Sequence, residues 1–208
     1  MLKEYHKIKA PFLRDVENKK LTNTFIDYSI AYLSDNEWKW TEKVDGTNIR
    51  IHWDGHKLSL YGRTDKSQIP SDFIDYYFET FINSGLDSII EQRFEDNEVT
   101  LIGEGYGGKI QGKKEYGDTK FVLFDVCFNG TYLDREDMEH IGKEFRLNVV
   151  PTVLIGTIDE AIGFVKTHPK SLLGDLEMEG VVGTPLIPLL DKYGKRIITK
   201  VKVKDFAN

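Results

Sequence analysis

The sequence has little of several things, and each shortage excludes something. It has one cysteine, Cys127, in 208 residues, so no internal disulfide forms and a reducing compartment is expected. Cys127 lies inside the apolar run FVLFDVCF, the setting of a core thiol rather than of a reactive one. No apolar run approaches the roughly 20 residues that cross a bilayer. The opening MLKEYHKIKAPFLRD has neither an apolar signal core nor a small-residue cleavage site. A cytoplasmic protein with no membrane association is expected. Positive charge is not in excess either, because 28 Lys and Arg stand against 34 Asp and Glu, giving −6. That argues against a wide, non-specific nucleic-acid surface. There is no H-E-x-x-H, no paired-cysteine zinc pattern and no G-x-S-x-G, which removes the common zinc-protease and serine-hydrolase signatures. The five histidines are scattered and read as surface or core residues.

Apolar residues make up 40% and charged residues 30%, ordinary for a soluble globular chain. The length suits a single large domain, 1–208, rather than two. The cations are unevenly placed. In KYGKRIITKVKVK, Lys192, Lys195, Arg196, Lys200, Lys202 and Lys204 occur with no acid among them. An acidic protein can still hold a local phosphate site there.

Periodicity predicts mostly strands. WKWTEK is one, and Ile49, Ile51 and Trp53 alternate with Asn48, Arg50 and His52 in the next, a period of two. Asp54-Gly55 is the expected hairpin turn, since both residues tolerate positive φ. Pro70-Ser71 opens a helix in which Phe73, Tyr77 and Phe81 run beside Ile74, Phe78 and Ile82 as one apolar stripe. A second helix follows Gly85. EVTLIGEG and KFVLFDVCF are strands, and LDREDMEHIGKEF is a helix with Asp134 as N-cap. Thr157 to His168 is a helix stopped by Pro169, and EGVVGT and RIITKVKVK are late strands. This order predicts an α+β fold with largely antiparallel sheets.

A set of short motifs is threaded through these elements. TEKVDGTN places Lys43, one spacer, then Asp45-Gly46 where a strand gives way to a turn. GRT covers Gly62 to Thr64, GEGYG covers Gly103 to Gly107, and Phe124-Asp125 lies within an apolar strand. EGVV covers Glu179 to Val182, and Lys200-Val201-Lys202 ends the series. K-x-D-G alone is common; six motifs in this order are specific. From about Glu42 to Phe206 the chain resembles the covalent nucleotidyltransferase superfamily of polynucleotide ligases and mRNA capping enzymes. It is most similar to the RNA ligase 2-type family, whose lysine motif reads K-x-D/H-G-T-N. The N-terminal segment resembles that of small RNA-ligase-like proteins from bacteria and phages.

The resemblance implies a nucleotidyltransferase domain of two antiparallel sheets flanking a nucleotide cleft, with helices outside. It implies that Lys43 attacks the α-phosphate of ATP and carries AMP. A lysine must be neutral to attack, so burial or nearby positive charge has to lower its pKa, and Lys200 and Lys202 would supply that charge while neutralising phosphate oxygens. Glu179 would bind magnesium or manganese, which favour carboxylate, water and phosphate oxygens. Glu104 would contact the ribose and water on a metal, Arg63 the ribose or phosphate, and Asn48 the phosphates. Phe124 would stack on adenine, and Glu42 would touch the adenine edge. The plainer alternatives are a core Phe124, a turn Arg63, a strand-edge Asn48, a loop Glu179 and a solvated lysine face on an edge strand. Strand alternation puts Lys204 on the side of Lys200 and Lys202, but it is not included in the site.

Gly103 to Lys109 also matches the start of a P-loop, G-x-x-x-x-G-K. Ile110 stands where Ser or Thr should meet magnesium, and IQGKKEYGD makes a poor helix. The P-loop reading is rejected.

The implied activity is sealing of RNA ends, a 5′-phosphate to a 3′-hydroxyl, by way of lysyl-AMP. The sequence ends six residues after Lys202, without the OB or helical C-terminal domain of larger relatives. A monomer is expected, with RNA engaged by this domain alone or through a partner protein. Three alternatives stay open: a nucleotide-binding or adenylylation-only module, a capping-type guanylyltransferase, and a DNA ligase.

Overall fold

Strands dominate the computed structural model, which describes residues 4–206 apart from Lys19 and Asp65. In chain order they and the helices are β1 (Phe12–Arg14), β2 (Leu21–Phe25), α1 (Tyr28–Tyr32), β3 (Trp38–Lys43), β4 (Thr47–Trp53) and β5 (Leu58–Gly62). Next come α2 (Ser71–Tyr77), a π-helical segment (Phe78–Asn83), α3 (Leu86–Phe94), β6 (Val99–Tyr106), β7 (Lys120–Phe128), β8 (Thr131–Tyr132), α4 (Arg135–Glu144) and β9 (Asn148–Val149). The last are β10 (Thr152–Gly156), α5 (Ile158–Lys166), β11 (Gly180–Pro185) and β12 (Thr199–Lys202). The chain divides into two compact units, Asp45–Val150 with Tyr5, and His6–Val44 with residues 151–206.

In the first unit one sheet runs β5-β4-β6-β7-β8, every neighbour antiparallel, with β9 added parallel to β7. Alternation in β4 sends Ile49, Ile51 and Trp53 into a core shared with Phe73, Tyr77, Phe81, Ile90 and Phe121. Asn48 therefore points to the opposite face, as a period of two requires. The expected helical stripe splits in two. Phe73, Tyr77 and Phe81 are buried, whereas Ile74 and Phe78 are exposed. Ile82, the last of the second row, is partly buried and packs against this core. The hairpin turn is also displaced by one residue from the expected Asp54-Gly55. Asp54 pairs with Lys57, so Gly55 and His56 hold the centre. Gly55 supplies the positive φ of 90°, and the Asp54 carboxylate accepts from the His56 and Lys57 amides. Asp134 caps α4 as expected, accepting from Asp137 N at 2.9 Å.

In the second unit a four-stranded antiparallel sheet runs β10-β3-β11-β12. Trp38, Trp40, Val181 and Val201 line its inner face and pack on Ile158, Ala161 and Val165 of α5. Both indoles are satisfied, Trp38 by Leu33 O and Trp40 by Gly156 O. Burying two tryptophans on one short strand fixes its register, because a slip of one residue would expose both. Lys39, Thr41 and Lys43 then point the other way. α5 starts at a capping box in which Thr157 and Glu160 satisfy each other's backbone amides. β12 is shorter than expected from RIITKVKVK; Val203–Asp205 turns into a 3₁₀ segment, which carries Lys204 out of the strand. β1 and β2 pair as a separate ribbon.

Candidate active site

The second unit gathers Lys43, Glu179 and Lys202. Lys43 ends β3, and register places Gly180 of β11 between Lys43 and Lys202 of β12. Glu179 precedes that glycine, so its carboxylate reaches both amines. One oxygen pairs with Lys43 and the other with Lys202. All three side chains are largely enclosed, at 21%, 16% and 16% exposure for Lys43, Glu179 and Lys202. Gly180 has φ 152°, and a Cβ there would lie 2.1 Å from Val201 O. No side chain can replace it without parting β11 from β12.

Charge in this cluster is unbalanced. Burial opposes ionisation of Glu179, but attraction to Lys43 and hydrogen bonds from Lys202 and Lys43 outweigh it and hold the carboxyl below its ordinary range. Lys200 sits two residues before Lys202 on the same face. Burial, then repulsion from Lys202 and Lys43, brings its amine down to about 8. Three cations gathered about the Glu179 carboxylate leave an excess of positive charge, and a polyanion would offset it.

Glu42 faces the other way, being 2% exposed on the side of Trp38 and Trp40. Its carboxylate accepts from the Ser171 hydroxyl and from Leu172 N at 2.9 Å. Ser171 lies 129 residues away in sequence, and nothing local in the sequence signals this pairing.

The first unit holds the remaining expected residues. Asp45 and Gly46 are braced by the segment after β6. Asp45 N donates to the Tyr116 hydroxyl, Gln111 Nε2 donates to Gly46 O, and Lys113 pairs with Asp45 at 3.6 Å. Gly46 must be glycine because a Cβ would stand 2.2 Å from Gly105 O and 2.9 Å from Glu104 Cγ. Asn48 on β4 is paired in register with Glu104 on β6, so both side chains share one face. Among the described residues no hydrogen-bond partner meets the buried Asn48 Oδ1, and such an acceptor normally meets a donor. Arg63 lies exposed in the turn after β5. Buried Arg50 holds that turn by donating Nε to Gly62 O at 2.7 Å. Phe124 is half-buried in β7. The Tyr5 ring packs 5.5 Å from it, tilted by 54°, and the Tyr5 hydroxyl donates to Asp125 Oδ2 at 2.6 Å. Arg50 and Tyr5 were not marked by any motif. After Lys109 come only 3₁₀ turns, Ile110–Gly112 and Lys114–Tyr116, so no helix start meets a phosphate there.

The family model for RNA ligase matches residues 36–202, which is most of the chain and every motif above. The chain belongs to the RNA ligase family. Among solved structures it is similar to Naegleria gruberi RNA ligase. A substituted form of that ligase with ATP and Mn matches at TM-score 0.68 and 17% identity, covering 97% of this chain and 56% of that one. A substituted apo form matches at 0.64 and 17%, covering 86% and 53%. The same ligase with PPi matches at 0.63 and 16%, covering 95% and 61%. The chain thus spans between half and two thirds of the length of those structures. At such identities the likeness establishes the fold, a mixed α/β architecture with antiparallel sheets.

Proposed function

We propose that residues 1–208 of this RNA ligase act as an adenylyltransferase domain that forms lysyl-AMP on Lys43 and seals RNA ends. The observation that carries the reading is the pairing of Lys43 and Lys202 with the two oxygens of Glu179, at positions set by three adjacent strands.

An ammonium held by a carboxylate is not a nucleophile, so Lys43 must give up a proton before it reacts. Lys200 and Lys202 attract the phosphates of ATP. The neutral Nζ then attacks the α-phosphorus in line. A P–N bond forms, the bond to the β-phosphate oxygen breaks, and the electron pair leaves with pyrophosphate. The three lysine positions together oppose the charge that builds on the phosphate oxygens. AMP then passes to a 5′-phosphate of RNA, and a 3′-hydroxyl displaces it.

The donor set fits a divalent cation of the magnesium or manganese type. Glu179 is one anionic, partly enclosed carboxylate, and such ions take one or two carboxylates with phosphate and water. When bound, the cation supplies positive charge that competes with Lys43 for Glu179 and offsets phosphate charge. On the first unit, Asn48, whose buried oxygen meets no donor among the described residues, and Glu104 beside it would meet ribose and phosphate groups. Arg63 would meet phosphate or ribose, and Phe124 would stack on the base. Glu42, through Ser171 and Leu172, would position the β3 end rather than reach the base directly.

Incubation with α-labelled ATP and magnesium, followed by a chase with 5′-phosphorylated RNA, tests the reading. Label should attach to the protein and then appear at a sealed RNA junction. Labelling by GTP but not ATP would turn the reading toward capping. Label that never leaves the protein would reduce it to adenylylation alone.

A further inference from the structure

Phe124 owes its direction to an irregularity in β7. Ile102 of β6 pairs with Asp125, and the next residue, Gly103, pairs with Leu123, so Phe124 faces no residue across the strands. It is the extra residue of a β-bulge, which re-aims a side chain and disrupts the ladder around it. Leu123 and Val126, on either side, both enter the core. Phe124 and Asp125 therefore turn together to the other face, which register shares with Asn48 and Glu104. A ring on a bulge is not fixed by ladder hydrogen bonds of its own and needs another contact to set its angle.

Tyr5 makes that contact, from outside the residues that the family model matches. Its ring centroid stands 5.5 Å from that of Phe124 with the planes 54° apart. On β8, Tyr132 meets the same ring at 6.4 Å and 76°. Both separations are those of favourable aromatic pairs. The Tyr5 hydroxyl donates to Asp125 Oδ2 at 2.6 Å, which fastens the tip of the ring to the residue beside Phe124. Tyr5 is 7% exposed, whereas Phe124 is only half-buried. The ring surface open to a ligand is thus that of Phe124, and Tyr5 backs it.

We propose that Tyr5 is a positioning residue for the adenine base of ATP, acting through Phe124 by holding that ring at the angle at which the base stacks. The proposal rests on the reading of Phe124 as the stacking ring. Tyr5 itself need touch no substrate atom. Its loss frees the Phe124 ring to tilt, which weakens stacking and leaves the phosphate contacts as they were.

The test follows lysyl-AMP formation against ATP concentration in wild type, Tyr5→Phe, Tyr5→Leu, Phe124→Leu and the double variant with leucine at both positions. Tyr5→Leu should raise the half-saturating ATP concentration roughly two- to tenfold, the span of one aromatic pair, and leave the maximal rate near wild type. Tyr5→Phe keeps the ring and should stay close to wild type. With Phe124 already replaced, Tyr5→Leu should add nothing, because its effect runs through that ring. Affinity for magnesium pyrophosphate, which has no base, should be the same in every variant. Effects at the two positions that simply add, or a matching loss of pyrophosphate affinity, would overturn the proposal. So would tighter ATP binding by Tyr5→Leu, which would mean that Tyr5 takes the place of the base. Wild-type ATP dependence in Phe124→Leu would remove the stacking reading itself, and the Tyr5 proposal with it. If wild type forms no lysyl-AMP, calorimetric titration with magnesium ATP makes the same comparison. Thermal melts check that the variants fold. Nuclear Overhauser contacts between the Tyr5 and Phe124 rings in the wild-type protein need no substitution. They should persist when AMP is added, and their loss would overturn the proposal.

Discussion

The Lys43 ammonium and the Glu179 carboxylate are ion-paired across the β3–β11 boundary, and Lys202 occupies the second carboxylate oxygen. One anion thus serves two enclosed cations. Removing the anion and removing one cation have unequal costs. Glu179→Gln leaves two ammonium groups facing each other and should lower stability by about 1–3 kcal/mol. Lys43→Met leaves Glu179 with Lys202 and should cost less. Urea denaturation of both variants ranks them, and the reverse order would show that the pair does not hold the strands together. Glu179→Gln should also cut lysyl-AMP formation about a hundredfold or more.

Lys200 is half-buried with its amine lowered to about 8. Below pH 8 it is protonated in both the folded and unfolded chain, and the full penalty of burying the charge is present. Between about 8 and its ordinary 10.5 the unfolded chain binds the proton and the folded chain does not. Stability therefore rises with pH across that window. Lys200→Met should stabilise the ligand-free protein by about 1 kcal/mol at pH 7, after allowance for screening of a half-exposed group. The gain should vanish above the window. Thermal melts of both proteins from pH 6.5 to above 10 check the sign, and a gain that grows with pH would contradict it.

Glu42 is an enclosed carboxylate satisfied by Ser171 and Leu172. Glu42→Ala strips the partner from both donors and should cost about 2–3 kcal/mol, against about 1 for Ser171→Ala. Hydrogen exchange at the Leu172 amide reports the cause directly. It should quicken in Glu42→Ala, and unchanged protection would place the stabilisation elsewhere.

Gly46→Ala puts a methyl group 2.2 Å from Gly105 O. The turn after Lys43 must then move away from β6, against the bracing by Tyr116 and Gln111. A loss of 1–3 kcal/mol, on the order of an overpacked site, should accompany slower lysyl-AMP formation. Wild-type labelling by Gly46→Ala would mean that the turn does not set the lysine's position.

Much of this was legible in the sequence for local reasons. Trp38 and Trp40 alternate with Lys39 and Thr41, so β3 and its facing directions could be read from six residues. Glu179, Lys200 and Lys202 could be chosen because their motifs recur in a fixed order with Lys43. What escaped depends on long-range register. The strand β10 is short and lies at the sheet edge, recognisable only once paired with β3. Ser171 meets Glu42 because β3 and the loop after α5 converge, not because of any nearby pattern. Lys9 meets Thr199, 190 residues away, through a bridge that no local pattern signals. Ile74 and Phe78 share the helical spacing of Phe73 and Tyr77, and spacing alone does not distinguish the row that is buried from the one that is exposed.

The most direct test of the central claim is peptide mass spectrometry after incubation with ATP and magnesium. The expected result is one AMP, acid-labile as a phosphoramidate, on the peptide that contains Lys43, and none on Lys43→Ala. AMP mapped to Lys200 or Lys202 instead, or no adduct on the wild-type protein, would contradict the assignment of Lys43 as nucleophile.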